Sequence, residues 1–280
     1  MTAKTRQIKV FVKYKDDLEN EFLTNTQEFD NNGNLVSSKE YDDEMSVVIE
    51  NKFQFDANNK IISEENTSYT DNYTEKKQYT YDEQGVLISE RIEYDGGWFS
   101  IRKYERDAVS KTLTITCVDE DNELEEKTIL EFDEKKNLIC QKEYDDEAKL
   151  KGKVENTYDD DGILQIKEEF DNKENLENAH HYYYDEKNKV KAIKTLNRKG
   201  KTTDWVKLEY DEKGNAIQQL SMSGAKIEIK YDYDKNSLTE THTNSNGAVI
   251  NEIIKYKNEE GNILEEHSLE KIIRYQYESF

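Results

Sequence analysis

The sequence predicts an all-β protein, an antiparallel β-meander built from hairpin units of about 26 residues. Three observations carry this prediction: an aromatic–aspartate pair recurs at a fixed spacing, apolar and polar residues alternate around it, and proline is absent. Alternation with a period of two is typical of β-strands, and without proline few backbone N–H groups are missing from strand pairing. No segment combines helical periodicity with capping residues; Leu124–Leu130 is the nearest, and it is too short.

The aromatic–aspartate pair marks the stronger of two turns in each unit. Its copies begin at Phe29, Phe55, Tyr81, Phe132, Tyr158, Tyr184, Tyr210 and Tyr233. The first three are 26 residues apart, the following gap of 51 holds a degenerate copy at Tyr104–Asp107, and the last step is 23. Self-similarity at a fixed period of this length indicates a repeat architecture.

The fourth residue after each aromatic is suited to a tight turn. At positions 33, 59, 85, 162, 188 and 214 it is Gly or Asn, which tolerate a left-handed backbone, and at 136 it is Lys. The aspartate can accept hydrogen bonds from the N–H groups of the turn. Residues two before and six after the aromatic are mostly apolar, so a strand is expected on each side of the turn.

A second, weaker turn lies near the middle of each unit. It begins at Tyr41, Tyr94, Val118, Tyr144, Phe170, Asn197 and Asn244. Strong and weak turns therefore alternate every 12 to 14 residues, which predicts strands of about 8–10 residues with a turn at both ends. Each unit is then one β-hairpin that leans on its neighbours in the repeat.

These units are expected to form one domain over residues 1–280, because no Gly-, Ser- or Pro-rich linker interrupts them. We predict an N-terminal cap over about 1–26, repeats over about 27–262 and a C-terminal cap over about 263–280. The expected architecture is an elongated, curved sheet or an open solenoid or shell. Whether the meander instead coils into a hollow tube is left open by these local patterns.

The composition describes an ordered protein with a thin core and a charged surface. Charged residues make up 36% and hydrophobic residues 34%, which alone favours disorder, but 19 Tyr are typical of a folded chain. The net charge of −22 argues against binding nucleic acid through its phosphates and favours a basic partner. Cys117 and Cys140 are expected to be reduced and buried. With neither a membrane helix nor an apolar leader, the chain is predicted to be cytoplasmic unless an export signal has been removed.

The best-formed copy of the repeat reads Tyr79-Thr-Tyr81-Asp-Glu-Gln-Gly85-Val-Leu87, which resembles the YD repeat of Rhs and teneurin proteins. The resemblance extends over about residues 20 to 260 and implies strands wound into a shell or solenoid that encapsulates cargo or binds cell-surface partners. This chain departs from the family, because its period is longer and Asn often replaces the Arg after the Gly. Without proline it also lacks the Rhs motif linked to self-cleavage, so toxin processing is not expected, and 280 residues are too few to wrap a toxin domain.

No residue pattern points to catalysis or to a cofactor. The chain contains no G-x-S-x-G, HExxH, CxxC, P-loop or GxGxxG motif. His180 and His181 are adjacent in a predicted strand and point to opposite faces, so a shared metal ion is not expected. Residues 157–168 partly match an EF-hand loop, but position one is Thr157 and no helix flanks it, which favours turn chemistry. Carboxylate pairs recur with the turns, whereas a catalytic pair should be singular.

Candidate binding residues lie where the repeat is interrupted. The turn at Tyr94 is followed by two glycines and then by two large aromatics, and the chain has only two tryptophans. Aromatic residues are enriched in the hot spots of protein interfaces, although both tryptophans would also suit core positions. With an acidic turn included, the predicted binding residues are Tyr94, Trp98, Phe99, Tyr144, Asp145, Asp146 and Trp205.

Two functions fit these features best, and neither is enzymatic; a third, an enzyme on the β scaffold, would need a single isolated carboxylate pair inside a deep pocket. The first is a cytosolic immunity- or antitoxin-type protein that masks a basic protein such as a secreted nuclease toxin, because the chain is acidic and a similar repeat occurs in toxin systems. The second is a surface or secreted adhesin-like module that binds polysaccharide through aromatics, which requires an export signal. We predict no cofactor, no nucleic-acid partner and no membrane insertion, and the oligomeric state is left open.

Overall fold

The computed structural model describes residues 5–279. The regular secondary structure of these residues consists entirely of β-strands. The first eleven are β1 (Thr5–Tyr14), β2 (Asp17–Phe29), β3 (Leu35–Tyr41), β4 (Val47–Phe55), β5 (Ile61–Ser68), β6 (Tyr73–Tyr81), β7 (Leu87–Glu93), β8 (Phe99–Asp107), β9 (Thr112–Val118), β10 (Leu124–Phe132) and β11 (Leu138–Tyr144). The other eleven are β12 (Leu150–Tyr158), β13 (Leu164–Phe170), β14 (Leu176–Tyr184), β15 (Val190–Asn197), β16 (Thr202–Tyr210), β17 (Ala216–Ser221), β18 (Lys226–Asp232), β19 (Ser237–Thr243), β20 (Val249–Lys257), β21 (Ile263–His267) and β22 (Lys271–Ser279). Residues 5–279 contain no helix with the length and apolar character needed to cross a lipid bilayer.

Strand pairing is antiparallel throughout, and it closes on itself. Each strand pairs with the next along the chain, and β22 then pairs with β1 from Thr5↔Ser279 to Tyr14↔Lys271. The 22 strands therefore form a closed barrel, and the predicted elongated sheet, open solenoid or shell is wrong. An open sheet would leave the N–H and C=O groups of both edge strands without partners, whereas closure pairs the two edges with each other. The predicted division into caps and repeats stays a prediction.

Side chains reinforce the seam between β1 and β22. The Arg274 guanidinium donates two hydrogen bonds to the Glu21 carboxylate, at 2.9 and 2.6 Å, and lies 4.4 Å from the centre of the Phe11 ring. The Lys9 ammonium donates to Glu278 at 2.7 Å. The hydrogen bond from Arg274 lowers the pKa of the Glu21 carboxyl, which is consistent with a stable pair at the seam.

The wall of the barrel is a single layer of sheet with little buried surface. The protein exposes 18111 Å², whereas a compact monomer of 33.1 kDa exposes about 12,600 Å². Each strand contacts only its two neighbours in the ring. Among residues 5–279 only nine are buried: Val12, Thr26, Glu90, Ile92, Ser100, Cys117, Val118, Cys140 and Ala179. The predicted thin core is confirmed, and both cysteines are buried and free.

Alternate residues place two different chemistries on the two faces of the wall. The tyrosine face carries Tyr81, Tyr158 and Tyr210 together with the apolar residue that opens each following strand. The ladder face carries rows of opposite charge: the Glu65 carboxylate lies 3.6 Å from the Lys52 ammonium and 2.9 Å from that of Lys76. Cross-strand pairs of this kind contribute about 0.2–1 kcal/mol each, so their effect depends on the repeat.

Sixteen of the turns share one five-residue geometry. The N–H of the first residue donates to the carbonyl of the fifth, and the N–H of the fourth donates back to the first. The first residue is usually Asp or Asn, whose Oδ1 accepts two more bonds; Asp159 accepts them from Asp161 and Ile163 at 3.0 and 2.9 Å. The fourth residue is left-handed at all six Gly or Asn positions where this was predicted, and also at Lys136, with φ between 59° and 91°.

The turns with the weaker sequence signal have the same geometry. Those that begin at Asp42, Asp119, Asp145, Asp171, Asn197 and Asn244 make the same pair of backbone hydrogen bonds. Their signal is weaker because the left-handed position is not reserved for Gly or Asn: it holds Met45, Ala148 and Glu174 in three of them. A non-glycine residue in this conformation costs about 1–2 kcal/mol. The backbone therefore imposes the turn even where the side chain does not favour it.

The turns form two rims at opposite ends of the barrel. The tyrosine rim contains the turns after even-numbered strands, and the tryptophan rim contains those after odd-numbered strands, including the turn with Trp98. At the tyrosine rim a tyrosine hydroxyl donates to the carbonyl of the first residue in the preceding strand, as Tyr210 does to Val190 at 2.8 Å. The same bond is made by Tyr81, Tyr158, Tyr184, Tyr231 and Tyr277.

Two imperfect copies of the repeat are explained by this bond. In the degenerate copy, Arg106 replaces the tyrosine and donates from Nη1 to the Leu87 carbonyl at 2.9 Å. In the copy predicted at Tyr233, the bond is made by Tyr231, to the Ala216 carbonyl, so the repeat is offset by two residues from its predicted position. Tyr233 lies in the turn after β18 and is 53% exposed.

Candidate binding rim

The seven predicted binding residues all lie at or near the tryptophan rim, but they do not form one site. Tyr94, Trp98 and Phe99 belong to the turn between β7 and β8 and its exit, and Tyr144, Asp145 and Asp146 to the turn between β11 and β12. These turns are four strands apart, about 19 Å at 4.7–4.9 Å per strand. Trp205 lies in β16, eight strands from Trp98, or about 38 Å along the wall.

The tryptophan rim is divided by charge. The six consecutive turns from β3 to β14 hold 14 Asp or Glu and two Lys, and we call them the acidic arc: residues 42–46, 69–72, 94–98, 119–123, 145–149 and 171–175. The other five turns of this rim hold two acidic and four basic residues. The ten turns of the tyrosine rim hold 16 acidic and eight basic residues, with no comparable run. Two of the predicted groups therefore lie within one acidic surface, and Trp205 lies outside it.

Exposed apolar side chains are interspersed along the acidic arc. Trp98 is 64% exposed, Met45 56% and Tyr69 54%, and Tyr73 begins the strand that follows the second turn. Tyr69 is held in place because its hydroxyl donates to Glu50 at 2.9 Å. Large exposed apolar groups beside carboxylates are the composition of an interface core with a charged rim. Met45, Tyr69 and Tyr73 were missed by sequence reasoning, because nothing local distinguishes them from residues that pack in the wall.

The two glycines before Trp98 allow a turn in which its indole remains exposed to solvent. Tyr94 replaces the usual aspartate as first residue of the turn, and its N–H still donates to the Trp98 carbonyl at 2.8 Å. Gly96 and Gly97 have φ of 92° and 89°. A Cβ on Gly96 would lie 3.2 Å from the indole, so the ring packs against the bare backbone at this residue. The indole is therefore supported on one side while most of its surface faces solvent.

The ring of Phe99 is covered by a neighbouring side chain and is not exposed like the indole of Trp98. Its side chain is half-buried, and the Arg91 guanidinium stacks 3.5 Å from the centre of the ring. The same guanidinium donates from Nε to Glu93 at 2.8 Å, which fixes it over the ring. The structure thus makes Phe99 a support for the turn that carries Trp98.

The three predicted residues at the turn of residues 145–149 also differ in whether their side chains are free to contact a partner. Asp145 accepts bonds at Oδ1 from the N–H groups of Glu147 and Lys149, at 3.1 and 2.8 Å, so this carboxylate is engaged in the turn. Asp146 is exposed, and Tyr144 is half-buried on the ladder face. Of the three, Asp146 has the carboxylate that is open to a partner.

Trp205 lies in a different environment from Trp98. Its carbonyl accepts a bond from the N–H of Met222 at 2.9 Å, and its ring is half-buried. The Lys207 ammonium lies 4.9 Å from the centre of the indole, a cation–π contact. Trp205 is therefore close to a cation and lies outside the acidic arc.

A buried polar cluster in β7–β10 was not predicted. Glu90, only 5% exposed, accepts bonds from the Tyr104 hydroxyl at 3.2 Å and from Arg102 at 3.3 Å. The other end of the Arg102 guanidinium donates to Glu126 at 3.1 Å. Burial alone would lower the pKa of Arg102, but its bond with Glu126 and the charge of Glu90 raise it above its usual value. Every charged group in this cluster is paired with a group of opposite charge, so the cluster stabilises the wall.

Cys117 belongs to the same part of the wall, where its thiol is buried. Burial raises the pKa of its thiol to about 12, and the hydrogen bond that the thiol donates to Glu125 acts in the same direction. A thiol with that pKa is protonated at neutral pH and is unreactive. Across residues 5–279, no three His, Cys, Asp or Glu side chains converge in a way that could hold a metal ion.

Comparison with known proteins identifies no family. No protein-family model matches the chain, and no curated protein matches it either. A chain of the Photorhabdus luminescens Tc holotoxin pore overlaps 95% of this chain and 18% of its own length, at 13% identity and a TM-score of 0.35. A crystal structure of TcdB2–TccC3–Cdc42 overlaps 89% of this chain and 17% of its own, at 10% identity and a TM-score of 0.33.

A protein described as porin-like, from Bacteroides uniformis, overlaps 98% of both chains at 10% identity and a TM-score of 0.34. This chain therefore spans less than a fifth of the Tc chains and nearly the whole of the porin-like one. TM-scores below 0.5 do not establish a common fold. The strand pairing within this chain shows a β-repeat protein, the coarser form of the resemblance found in the sequence.

Proposed function

We propose that this chain is a non-enzymatic binding protein that holds a basic protein partner on the acidic arc. One observation carries the proposal: six consecutive turns at one rim hold 14 acidic residues and two lysines, beside exposed Met45, Tyr69 and Trp98. The partner's lysines and arginines would pair with the carboxylates, and the apolar groups would supply the buried contacts that give affinity.

The arrangement of charge favours a fast, salt-sensitive association. Carboxylates concentrated along one arc attract a basic protein over a distance of about 10 Å at 0.1 M salt. Electrostatic attraction of this kind raises the association rate more than it lowers the dissociation rate. The pre-positioned indole of Trp98 loses little conformational freedom on binding, which lowers the entropic cost of the contact.

The biological role that we propose for this binding is that of an immunity- or antitoxin-type protein. It is supported by the acidic arc and by the YD-like repeat, whose aromatic, aspartate and left-handed residue each have a defined part in the turn. A masking protein needs a rigid surface complementary to its target and no catalytic group. Placement in the cytoplasm and distant kinship with YD-repeat proteins belong to the same proposal.

The test compares two variants of equal net charge. In the arc variant, Asp43, Glu44, Glu120 and Asp146 are replaced by Lys; in the control variant, Glu83, Asp160, Asp161 and Glu259 of the tyrosine rim are replaced by Lys. All eight side chains are exposed. Both variants and the wild type are titrated with a lysine- and arginine-rich peptide, followed by Trp98 fluorescence in a Trp205→Phe background. The same proteins serve as baits in low-salt pull-downs from the native source.

We expect the arc variant to lose about tenfold or more in affinity for the peptide and to lose the basic proteins retained by the wild type. The control variant should keep both, because its substitutions leave the arc intact. Equal losses in the two variants would show that only net charge matters and would refute a defined site. Failure of the wild type to bind any basic protein at low salt would refute the function.

A second candidate function, polysaccharide binding through aromatics, is favoured by one local observation. Tyr183 in β14 and Trp205 in β16 lie on the same face of the wall, with β15 between them. Each has a lysine ammonium near its ring, at 5.2 and 4.9 Å. Sugar rings stack on aromatic side chains, and a nearby ammonium can bind a carboxylate on the sugar. This candidate uses a surface separate from the acidic arc.

A further inference from the structure

The region around Trp205 has a charge opposite to that of the whole chain. Residues 187–207 contain eight basic residues and one acidic residue, Asp204, in a protein whose net charge is −22. These residues are the last three of the turn before β15, whose first two are Asp185 and Glu186, then the whole of β15, the turn after it and most of β16. We call the eight cations the basic stripe: Lys187, Lys189, Lys191, Lys194, Arg198, Lys199, Lys201 and Lys207.

The cations of the basic stripe are not paired with carboxylates of the protein. Among the described residues, none of the eight lies within 4.0 Å of an Asp or Glu oxygen, whereas Lys52, Lys76 and Lys142 elsewhere on the wall are paired. Seven of the eight are exposed, and the eighth, Lys189, donates to the Gly214 carbonyl. Lys187, Lys189 and Lys191 line a hollow together with Asp185, Glu186, Glu209 and Asp211. The open anion-binding surface is therefore the one that Lys194, Arg198, Lys199, Lys201 and Lys207 present.

Aromatic rings lie among these cations on one face of the wall. The register pairs His181 with Lys194 and Lys194 with Trp205, so these three side chains share the ladder face. Tyr183 and Lys207 form the next row of the same face, through Ala192. The Lys194 ammonium lies 5.2 Å from the Tyr183 ring, and that of Lys207 lies 4.9 Å from the indole. The surface therefore combines flat apolar rings with ammonium groups placed beside them.

The basic stripe runs from one rim to the other. Lys187 and Lys189 lie in a turn of the tyrosine rim, whereas Arg198, Lys199 and Lys201 lie in a turn of the tryptophan rim. The strand between them, eight residues of β15, is about 26 Å long at 3.3 Å per residue. Lys189 lies on the tyrosine face, 5.0 Å from the centre of the Tyr210 ring, so the cations beside Tyr183 and Trp205 are Lys194, Lys207 and those of the tryptophan rim. This open part of the stripe suits a linear polymer lying along the strand.

We propose that the basic stripe binds an acidic, carboxylate-bearing polysaccharide, with sugar rings on Tyr183 and Trp205 and carboxylates on the lysines. The proposal rests on the second candidate function and names its ligand class. A single-stranded nucleic acid also offers rings and anions, but its one phosphate per nucleotide would be strongly repelled by a protein of charge −22. A polysaccharide with only one carboxylate for every two sugars has sparser charges and meets less repulsion. An acidic peptide such as poly-glutamate has no rings for Tyr183 and Trp205.

The test uses the fluorescence of Trp205 in a Trp98→Phe background, in which it is the only tryptophan. The probe is a hyaluronan oligosaccharide, which has one carboxylate for every two sugars, with neutral dextran, a thymidine oligonucleotide and poly-glutamate as comparison ligands. The stripe variant carries Lys194→Gln and Lys207→Gln, and the matched control carries Lys52→Gln and Lys76→Gln on the same face of β4 and β6. Circular dichroism and thermal unfolding establish that both variants are folded.

We expect the hyaluronan oligosaccharide to change Trp205 emission, with an affinity about tenfold lower in the stripe variant, unchanged in the control and lower at high salt. Dextran should bind weakly or not at all. Tighter binding of the oligonucleotide or of poly-glutamate, equal affinity in the stripe variant, or no hyaluronan binding would each overturn the proposal. Peptide binding at the acidic arc is measured separately in the Trp205→Phe background, which retains Trp98, so failure of the stripe is distinguished from failure of the arc.

Discussion

The two rims of the barrel are built from the same turn and differ in what is attached to it. At the tyrosine rim, six hydroxyls donate to the backbone of the preceding hairpin. Neighbouring turns there are also joined, as Asn34 to Asn59 at 3.0 Å and Lys60 to the Gly85 carbonyl at 2.8 Å. At the tryptophan rim, no tyrosine of the described residues donates to a backbone carbonyl, and Trp98, Met45 and Tyr69 project into solvent.

This difference indicates that the tyrosine rim serves mainly stability and the tryptophan rim mainly binding. Bonds between successive hairpins at the tyrosine rim stabilise the ring, because each one ties a unit to the next. Within residues 5–279, tyrosines at the tryptophan rim donate no such bond to the backbone of a neighbouring hairpin, and Trp98, Met45 and Tyr69 expose most of their apolar surface to solvent. Stability and binding can therefore change independently in this protein, and the predictions below test that independence.

The largest expected effect comes from removing a tyrosine of the tyrosine rim. Tyr210→Ala loses about 2 kcal/mol of half-buried ring contact and about 1 kcal/mol for the hydroxyl bond to Val190. Tyr144→Ala at the tryptophan rim loses a half-buried ring without such a bond, so we expect about 2 kcal/mol. Chemical denaturation of both variants measures the free energy of unfolding.

Tyr210→Phe isolates the hydroxyl and should lose about 1 kcal/mol. Tyr144→Phe is its matched control and should be nearly neutral. Equal losses for the two phenylalanine variants would contradict the proposed asymmetry of the rims.

The next effect concerns the left-handed residue of the turns, where the two rims should respond in opposite directions. Gly162→Ala at the tyrosine rim places a Cβ at φ 81° and should destabilise the protein by about 1–2 kcal/mol. Ala148→Gly at the tryptophan rim relieves the same strain at φ 57° and should stabilise by about 1 kcal/mol, reduced by the greater freedom of Gly in the unfolded chain. Thermal and urea unfolding test both, and an Ala148→Gly protein less stable than the wild type would count against the strain.

The smallest expected effect is on acid stability. The hydrogen bond from the Asn34 side chain lowers the pKa of Asp30, and backbone bonds from Lys60 and Lys189 lower the pKa of Asp56 and Asp185. A carboxyl whose pKa is lower in the folded state contributes stability above its unfolded pKa of about 3.8, which is lost as pH falls through the folded value. Replacing all three by Asn, which caps the same turn at Asn244, should weaken the dependence of stability on pH below about 4.

The control for this triple variant replaces three exposed acids of the same rim, Glu83, Asp160 and Glu259, by their amides. That change alters net charge equally but removes no bond that the turn donates to a carboxylate. An acid unfolding profile that shifts by the same amount in both triple variants would show that general charge repulsion, and not the turn carboxylates, governs acid stability.

The candidate binding residues illustrate what local patterns reveal. Trp98 was identified because two glycines and two aromatics interrupt the repeat, and the structure places its indole in solvent. Phe99 and Asp145 came from the same patterns but are engaged, one under Arg91 and the other within its turn. Whether a side chain is free depends on what lies across the next strand, and sequence spacing does not contain that information. The basic stripe, in contrast, is visible as a run of cations in the sequence and was overlooked because the net charge conceals it.

Local sequence by itself determined the turns of this protein. The aspartate, the left-handed residue and the flanking apolar pair act within five or six residues of one another, so their positions predict both the strand ends and the sign of φ, even at Lys136. Closure of the ring, and with it the gathering of every second turn into one acidic rim, was decided only by tertiary structure. It requires Thr5 to meet Ser279 across the seam, and a contact between such distant residues depends on the accumulated twist and number of all the strands between them.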